Sequence, residues 1–155
     1  MKRTALLNAP LSAAIARLGH TDLLLVADAG LPIPAEPERI DLALVAGVPS
    51  MMQVLRAIFT ELAVEAAYIA VEQAEFAPKF HAELAAFLAA EGVELRATMT
   101  HVAFKQEARR ARAAVRTADL TPYANILLQC GVVFGPYESD PPRDRAVPVT
   151  QVKPA

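Results

Sequence analysis

One cysteine is all that this chain of 155 residues carries, so no disulfide can close within it, and that usage fits a reducing compartment. Cys130 lies in the apolar run Ile126-Leu127-Leu128-Gln129-Cys130. It reads as a small buried hydrophobe rather than a nucleophile. An excess of charge is also missing: 15 Lys and Arg against 17 Asp and Glu leave a net charge of −2. No global basic field exists to draw nucleic acid or an anionic membrane. Long apolar runs are absent too, since none approaches the roughly 18 residues of a membrane span. Lys2 and Arg3 ahead of Ala5-Leu6-Leu7 imitate a signal peptide, but Asn8, Pro10, Ser12 and Arg17 interrupt its apolar core. The expectation is a cytoplasmic protein that binds neither nucleic acid nor membrane.

Familiar site motifs are lacking as well. Neither G-x-G-x-x-G nor G-x-x-x-x-G-K-[ST] occurs, so neither standard phosphate cradle is encoded. No Ser or Cys stands in a Gly-flanked nucleophile elbow. His20, Asp22, Asp28 and His101 are metal-ligand types, yet their separations match no zinc pattern. No metal and no cofactor are expected. No internal repeat is evident.

What the chain does have is apolar residues, 54% of the total. That is rich for a monomer of this size and leaves surface that a second copy would cover, so a homo-oligomer is expected. The length suits one domain, able to bury roughly two thirds of its unfolded surface.

Taken in order, residues 12–18 predict a short helix with Leu11, Ile15 and Leu18 on one face, closed by Gly19 in the left-handed conformation. His20 then falls in the turn into Leu23-Leu24-Leu25-Val26-Ala27, a continuous apolar run of the kind that forms a strand buried on both faces. Asp28 follows, where ligands sit in open α/β sheets, outside the carboxyl ends of strands. Pro32, Pro34 and Pro37 make a stiff loop. Residues 40–45 predict a second strand, stopped by Gly47-Val48-Pro49-Ser50. Ser50-Met51-Met52-Gln53 matches a capping box and opens a helix through Met51, Leu55, Ile58 and Leu62.

Residues 65–71 predict a third strand. A helix over 79–91 follows through Phe80, Leu84, Phe87 and Leu88, with His81 on its wet side and a stop at Gly92. After a strand at 93–99, Thr100-His101 opens a helix whose apolar line is Phe104, Ala108, Ala111 and Val115. Its basic residues Lys105, Arg109, Arg110, Arg112 and Arg116 read as a solvated or acid-paired face. A turn at 121–125 leads into the last two strands, 126–128 and 131–134. Alternating strands and helices predict an α/β fold: a three-layer α/β/α single domain over 1–134 with a mainly parallel, mixed sheet of about six strands. Residues 135–155 hold five of the 12 prolines and predict an extended or disordered tail without a core of its own.

Among the polar junctions, His20 suits acid–base work, because an imidazole accepts and donates a proton near neutral pH. On local sequence alone the simpler reading of His20 is a helix-end histidine satisfying nearby carbonyls. Tyr123 and Asn125 likewise read locally as turn residues. Six ordered motifs add something sharper: Arg17-Leu18-Gly19-His20-Thr21-Asp22, Asp28-Ala29-Gly30-Leu31-Pro32-Ile33-Pro34, Arg39-Ile40-Asp41, Gly47-Val48-Pro49-Ser50, Thr100-His101 with Phe104-Lys105, and Pro122-Tyr123-Ala124-Asn125-Ile126. Together they closely resemble the D-ribose pyranases of the ribose pyranase and fucose mutarotase family, over about residues 7–134. The loop after Asp28, and Ala124 where the fucose branch would have glycine, side with the ribose branch.

The resemblance implies a cofactor-free isomerase that interconverts the β-pyranose and β-furanose forms of D-ribose. His20 would be the catalytic proton donor, and Asp28, His101, Tyr123, Ala124 and Asn125 would bind the sugar, with Lys105 a further candidate. It also implies a decamer of two stacked five-membered rings, each site completed by a neighbour. The alternatives are an L-fucose-type mutarotase and a non-catalytic sugar-binding or regulatory module. One consequence is geometric: a five-residue strand spans roughly 17 Å, too far for His20 and Asp28 of one subunit to touch the same small sugar unless the chain curls back.

Overall fold

Leu23–Ala27 forms strand β1, whose last four residues are completely buried, and the remaining strands are laid to either side of it. The computed structural model describes residues 2–133. On one side β1 pairs in parallel with β5 (Ala113–Arg116), and β5 in turn with β2 (Glu38–Asp41). On the other side it pairs antiparallel with β6 (Ile126–Cys130), then β3 (Val64–Ala70) and β4 (Glu94–Met99). The six-stranded sheet has the order β2-β5-β1-β6-β3-β4. Only the pairings made by β6 are antiparallel, so the sheet is mixed and mainly parallel, as expected.

Alternate residues of the strands feed two separate cores. On one face Leu24, Val26, Ile69, Val115, Ile126 and Leu128 meet α1 (Ala9–Arg17), α2 (Met51–Ile58) and α4 (Pro78–Ala90) through Leu11, Ile15, Leu55, Ile58, Leu84 and Leu88. On the other, Leu25, Ala27, Ala114 and Leu127 meet Phe104 and Ala108 of α5 (His101–Glu107) and the 3₁₀ turn Ala108–Arg110. The second face has one helix where the first has three. It leaves a groove of about 600 Å³ beside α5, bordered by Leu23, Tyr68, Met99 and Gln129.

Local chemistry accounts for the helix starts. Asn8 caps α1 by accepting from the Leu11 N–H at 2.9 Å, and Pro10 fits the first turn, where no donor is needed. Ser50 and Gln53 close both halves of the expected capping box on α2. Gly92, at φ 72°, ends α4 in the left-handed region.

The structure departs from the sequence reading at several places. Helix α2 ends at Ile58, which leaves Leu62 in the loop before β3. Helix α1 begins three residues early because Asn8 supplies the cap, and Leu18 closes it in extended backbone. The left-handed residue of that turn is Thr21 (φ 68°), not Gly19. Strand β2 stops at Asp41, and Val45 instead bridges Val48 in a small hairpin. A short helix not predicted from the sequence, α3 (Glu72–Phe76), follows β3. His81 is half-buried against Gln73, not on the wet side of α4.

The expected long helix from Thr100 ends at Glu107, because the Arg112 N–H and C=O are captured by Leu23 and Glu38 at 2.8 and 3.1 Å. Val115 and Arg116 therefore lie on β5, and Arg112 sits in the bend that leads into it. Finally, residues 131–133 form no strand: Gly131 donates to the Ala63 carbonyl and Val133 is left 90% exposed. Phe134 and the expected tail, 135–155, lie outside the described residues. Among the described residues no helix is long and apolar enough to cross a membrane.

Candidate active site

Because β6 runs against the other strands, its beginning lies at the same sheet edge as the ends of β1, β3 and β4. Asp28 leaves β1 there, His101 starts α5 after β4, and Tyr123-Ala124-Asn125 lead into β6. The side chains of Asp28 and Asn125 are joined by Asn125 Nδ2 donating to Asp28 Oδ2 at 2.8 Å. The Asp28 backbone N–H donates back to Asn125 Oδ1 at 3.0 Å. Asp28 Oδ1 accepts from the N–H groups of Gly30 and Leu31 at 2.9 and 2.7 Å, which folds the Gly and Pro loop around the carboxylate. A carboxylate has about four acceptor positions, and three are occupied here, leaving one. Asn125 keeps one unused N–H. The pair therefore offers an acceptor beside a donor, the pattern that grips neighbouring hydroxyls.

His101 borders the same edge. Its ring stands edge-on to Tyr123 with centroids 4.9 Å apart, and it stacks on Phe104 at 6.3 Å. Nδ1 is buried and bonds nothing. Burial, with Lys105 one turn on, lowers the pKa of the ring, against a weaker pull from Glu72 and Asp28. A neutral ring with Nδ1 sealed has Nε2 as the nitrogen left for a hydroxyl. Ala124 is completely buried, and Tyr123 sits at φ 59°, a left-handed conformation that costs energy unless its surroundings fix it.

Two residues of α3 brace this edge, Gln73 at Tyr123 and Glu72 at His101, and the sequence reading did not find them. Gln73, fully buried, donates Nε2 to the carbonyls of Tyr123 and Asn125 at 3.0 and 3.4 Å, and its Oε1 lies 3.4 Å from His81 Nδ1. Glu72 accepts the His101 N–H at 2.9 Å on both oxygens, and that bond holds its carboxyl below the ordinary range. The signal that could have found them is the rule already applied to Asp28, that residues just after a parallel strand line the ligand edge; β3 ends two residues before Glu72.

His20 lies elsewhere. It precedes β1, so the whole strand separates it from Asp28, and it stands at the opposite edge, 54% exposed, with Nε2 3.0 Å from Glu65 Oε2. Asp28, His101, Tyr123, Ala124 and Asn125 are thus gathered at one edge of the sheet, and His20 is not among them. Cys130 is buried and its thiol is pushed up to about 11, chiefly by that burial, which makes it inert as a nucleophile. Among the described residues no three His, Cys, Asp or Glu side chains gather as a metal set.

The chain as a whole matches known proteins closely. The chain belongs to the RbsD / FucU transport protein family, whose model matches residues 1–133. It is 50% identical over 139 residues to the D-ribose pyranase of Aeromonas hydrophila, covering 86% of this chain and all of that protein. It is 44% identical over 134 residues to the D-ribose pyranase of a Clostridium perfringens strain, again covering 86% of this chain and all of the relative. Bacillus subtilis RbsD, solved in complex with D-ribose, superposes with a TM-score of 0.79 at 36% identity, over 86% of this chain and all of that one. The fucose mutarotase of Streptococcus pneumoniae, solved with L-fucose, shares the fold with a TM-score of 0.70 at 21% identity over 86% of this chain and all of that one.

Proposed function

We propose that this chain is a D-ribose pyranase, an isomerase that interconverts the β-pyranose and β-furanose rings of D-ribose by acid–base catalysis. The observation that carries the reading is the Asp28–Asn125 pair beside a neutral His101, in a chain whose relatives are D-ribose pyranases at 44 to 50% identity. The chemistry asks for little else. A proton goes onto the ring oxygen of the pyranose as one leaves the anomeric hydroxyl; the bond from C1 to the ring oxygen breaks and an aldehyde forms. The C4 hydroxyl then adds to C1, giving up its proton as the aldehyde oxygen takes one. Every atom is conserved and nothing is oxidised, so proton transfer and hydroxyl binding suffice.

In this scheme His20 is the proton donor, and Asp28, His101, Tyr123 and Asn125 hold the sugar, with Ala124 filling the turn between the last two. Lys105, exposed one turn beyond His101, can reach the rim of the same site. The separation of His20 from the rest by the length of β1 favours a site shared between subunits: His20 of one copy serves the Asp28–Asn125 edge of its neighbour. Phe76, Val102 and Leu120, all large, apolar and more than half exposed, surround that edge and support its coverage by a second copy. A decamer of two stacked five-membered rings is the assembly we assign, working in the cytoplasm on free ribose.

Saturation-transfer NMR on equilibrating ribose tests the function. The chain should speed pyranose–furanose exchange, and His20→Ala should remove about 10²- to 10⁴-fold of that acceleration while leaving the oligomer intact. Binding of ribose without faster exchange would sink the enzyme reading in favour of a sugar-binding module. Faster exchange on L-fucose than on ribose would make the chain a mutarotase instead. A fully active His20→Ala variant would remove the role given to His20.

A further inference from the structure

We propose that Glu65 is the positioning residue for His20, holding the imidazole by Nε2 so that Nδ1 is the atom that exchanges protons with the sugar. The inference rests on the assignment of His20 as the proton donor. Glu65 Oε2 lies 3.0 Å from His20 Nε2, and an ionised carboxylate can only accept, so Nε2 must carry the hydrogen. The direction of the remaining bonds is set from a cation. Arg96 donates to the Tyr68 hydroxyl at 3.0 Å, so that hydroxyl turns its own proton to Gln129 Oε1 at 2.7 Å. The amide of Gln129 is thereby oriented with Nε2 toward Glu65 Oε1, to which it donates. One carboxylate oxygen is taken and the other is left for His20.

The backbone is shaped to the same end. The pairing of β3 with β6 slips between Val64 and Ala66, so Glu65 is the extra residue of a β-bulge, a device that re-aims a side chain. Gly131 passes so close to it that a Cβ there would lie 3.2 Å from Glu65 Cβ and 3.3 Å from its nitrogen. Pairs as exposed as this one, 54% and 37%, add little to folding stability. An ordered carboxylate fixed by a bulge, a glycine and a chain of three polar side chains serves orientation better than stability. The same arrangement, a carboxylate on one imidazole nitrogen fixing the proton-transfer role of the other, recurs in acid–base sites.

The test compares Glu65→Ala, Glu65→Gln and His20→Ala in the full chain. Ribose exchange is followed by saturation-transfer NMR, and the His20 ring by ¹H–¹⁵N correlation. Glu65→Ala should lower kcat for exchange by about ten- to a hundredfold, a part of what proton transfer as a whole supplies, with KM for ribose and the thermal midpoint unchanged. The hydrogen-bonded Nε2–H signal of His20 should be lost. Glu65→Gln keeps the size, but its single amide oxygen can serve either Gln129 or His20, so its kcat should fall between the two. Wild-type kcat in both Glu65 variants beside an inactive His20→Ala overturns the inference and leaves the reading of His20 standing. An active His20→Ala overturns both. Parallel losses of kcat, KM and thermal midpoint in Glu65→Gln would make the residue structural and overturn the inference as well.

Discussion

His101 owes its lowered pKa to burial more than to any neighbouring charge, and that has a consequence for stability. Its folded pKa lies below the ordinary 6.5, first because the ring is desolvated and then because Lys105 is near. The unfolded chain therefore binds this proton more readily than the folded one. The stability contributed by the neutral ring is fully present above pH 6.5 and is lost as the pH falls from there toward the folded value. Glu72 also has a depressed folded pKa, led by the His101 N–H, but starting from 4.5. Its contribution is present above pH 4.5 and is lost only below. In thermal unfolding, His101→Gln should flatten the decline of the wild-type midpoint between pH 6.5 and 4.5 and leave the steeper acid limb below it. Equal slopes in the two proteins over that range would show that the ring is not held neutral by its surroundings.

Residues of this kind divide by how they announce themselves. Asp28, His101, Tyr123 and Asn125 stand at the ends of strong strand or helix signals, so their grouping follows once the sheet is drawn. Gln73 shares only their place after a strand, and Glu65 not even that. The first matters because an unpredicted helix turns it inward under the Tyr123 carbonyl, the second because of a one-residue slip in strand pairing. Neither a short helix after a strand nor a bulge leaves a mark in composition or periodicity.

Among the elements, β5 is the one that hydrophobic spacing conceals. Phe104, Ala108, Ala111 and Val115 continue a three-and-four repeat without a Gly or Pro to break it, and alanine is the best helix former. What ends the helix is tertiary: a slot between β1 and β2 in which both neighbours run parallel and Ala113, Ala114 and Val115 are wholly or almost wholly buried. By contrast β1 is plain, because its uninterrupted Leu and Val run has no helical alternative of that length. On the helical reading Ala114 lies off the apolar line; in the strand it has no exposure at all. Ala114→Asp would therefore bury an unpaired carboxylate and should cost several kcal/mol, enough to unfold a marginal domain. Ala82→Asp, on the exposed side of α4, should stay within about 0.5 kcal/mol of wild type. Urea midpoints for the two decide the matter, and a tolerated Ala114→Asp would contradict the burial of β5.

For the whole molecule, the two ends of β1 define the problem. One end carries the Asp28–Asn125 clamp and the other carries His20, and a buried five-residue strand cannot bend to bring them together. On the function proposed above, one copy then holds two half-sites facing opposite ways, and closed association of identical copies is the economical way to join one half to the other. The thin cover over the second sheet face and the exposed apolar rim of Phe76, Val102 and Leu120 provide surface for that association. The arrangement can be separated from a self-contained site by mixing two inactive variants. His20→Ala keeps the clamp, and Asn125→Ala keeps the proton donor. Unfolded together in equal amounts and reassembled, random rings would give each site an intact clamp half the time and an intact neighbouring His20 half the time, so about a quarter of wild-type exchange should return. If both halves of a site came from one chain, every chain in the mixture would lack one of them and exchange would stay at the level of the separate variants.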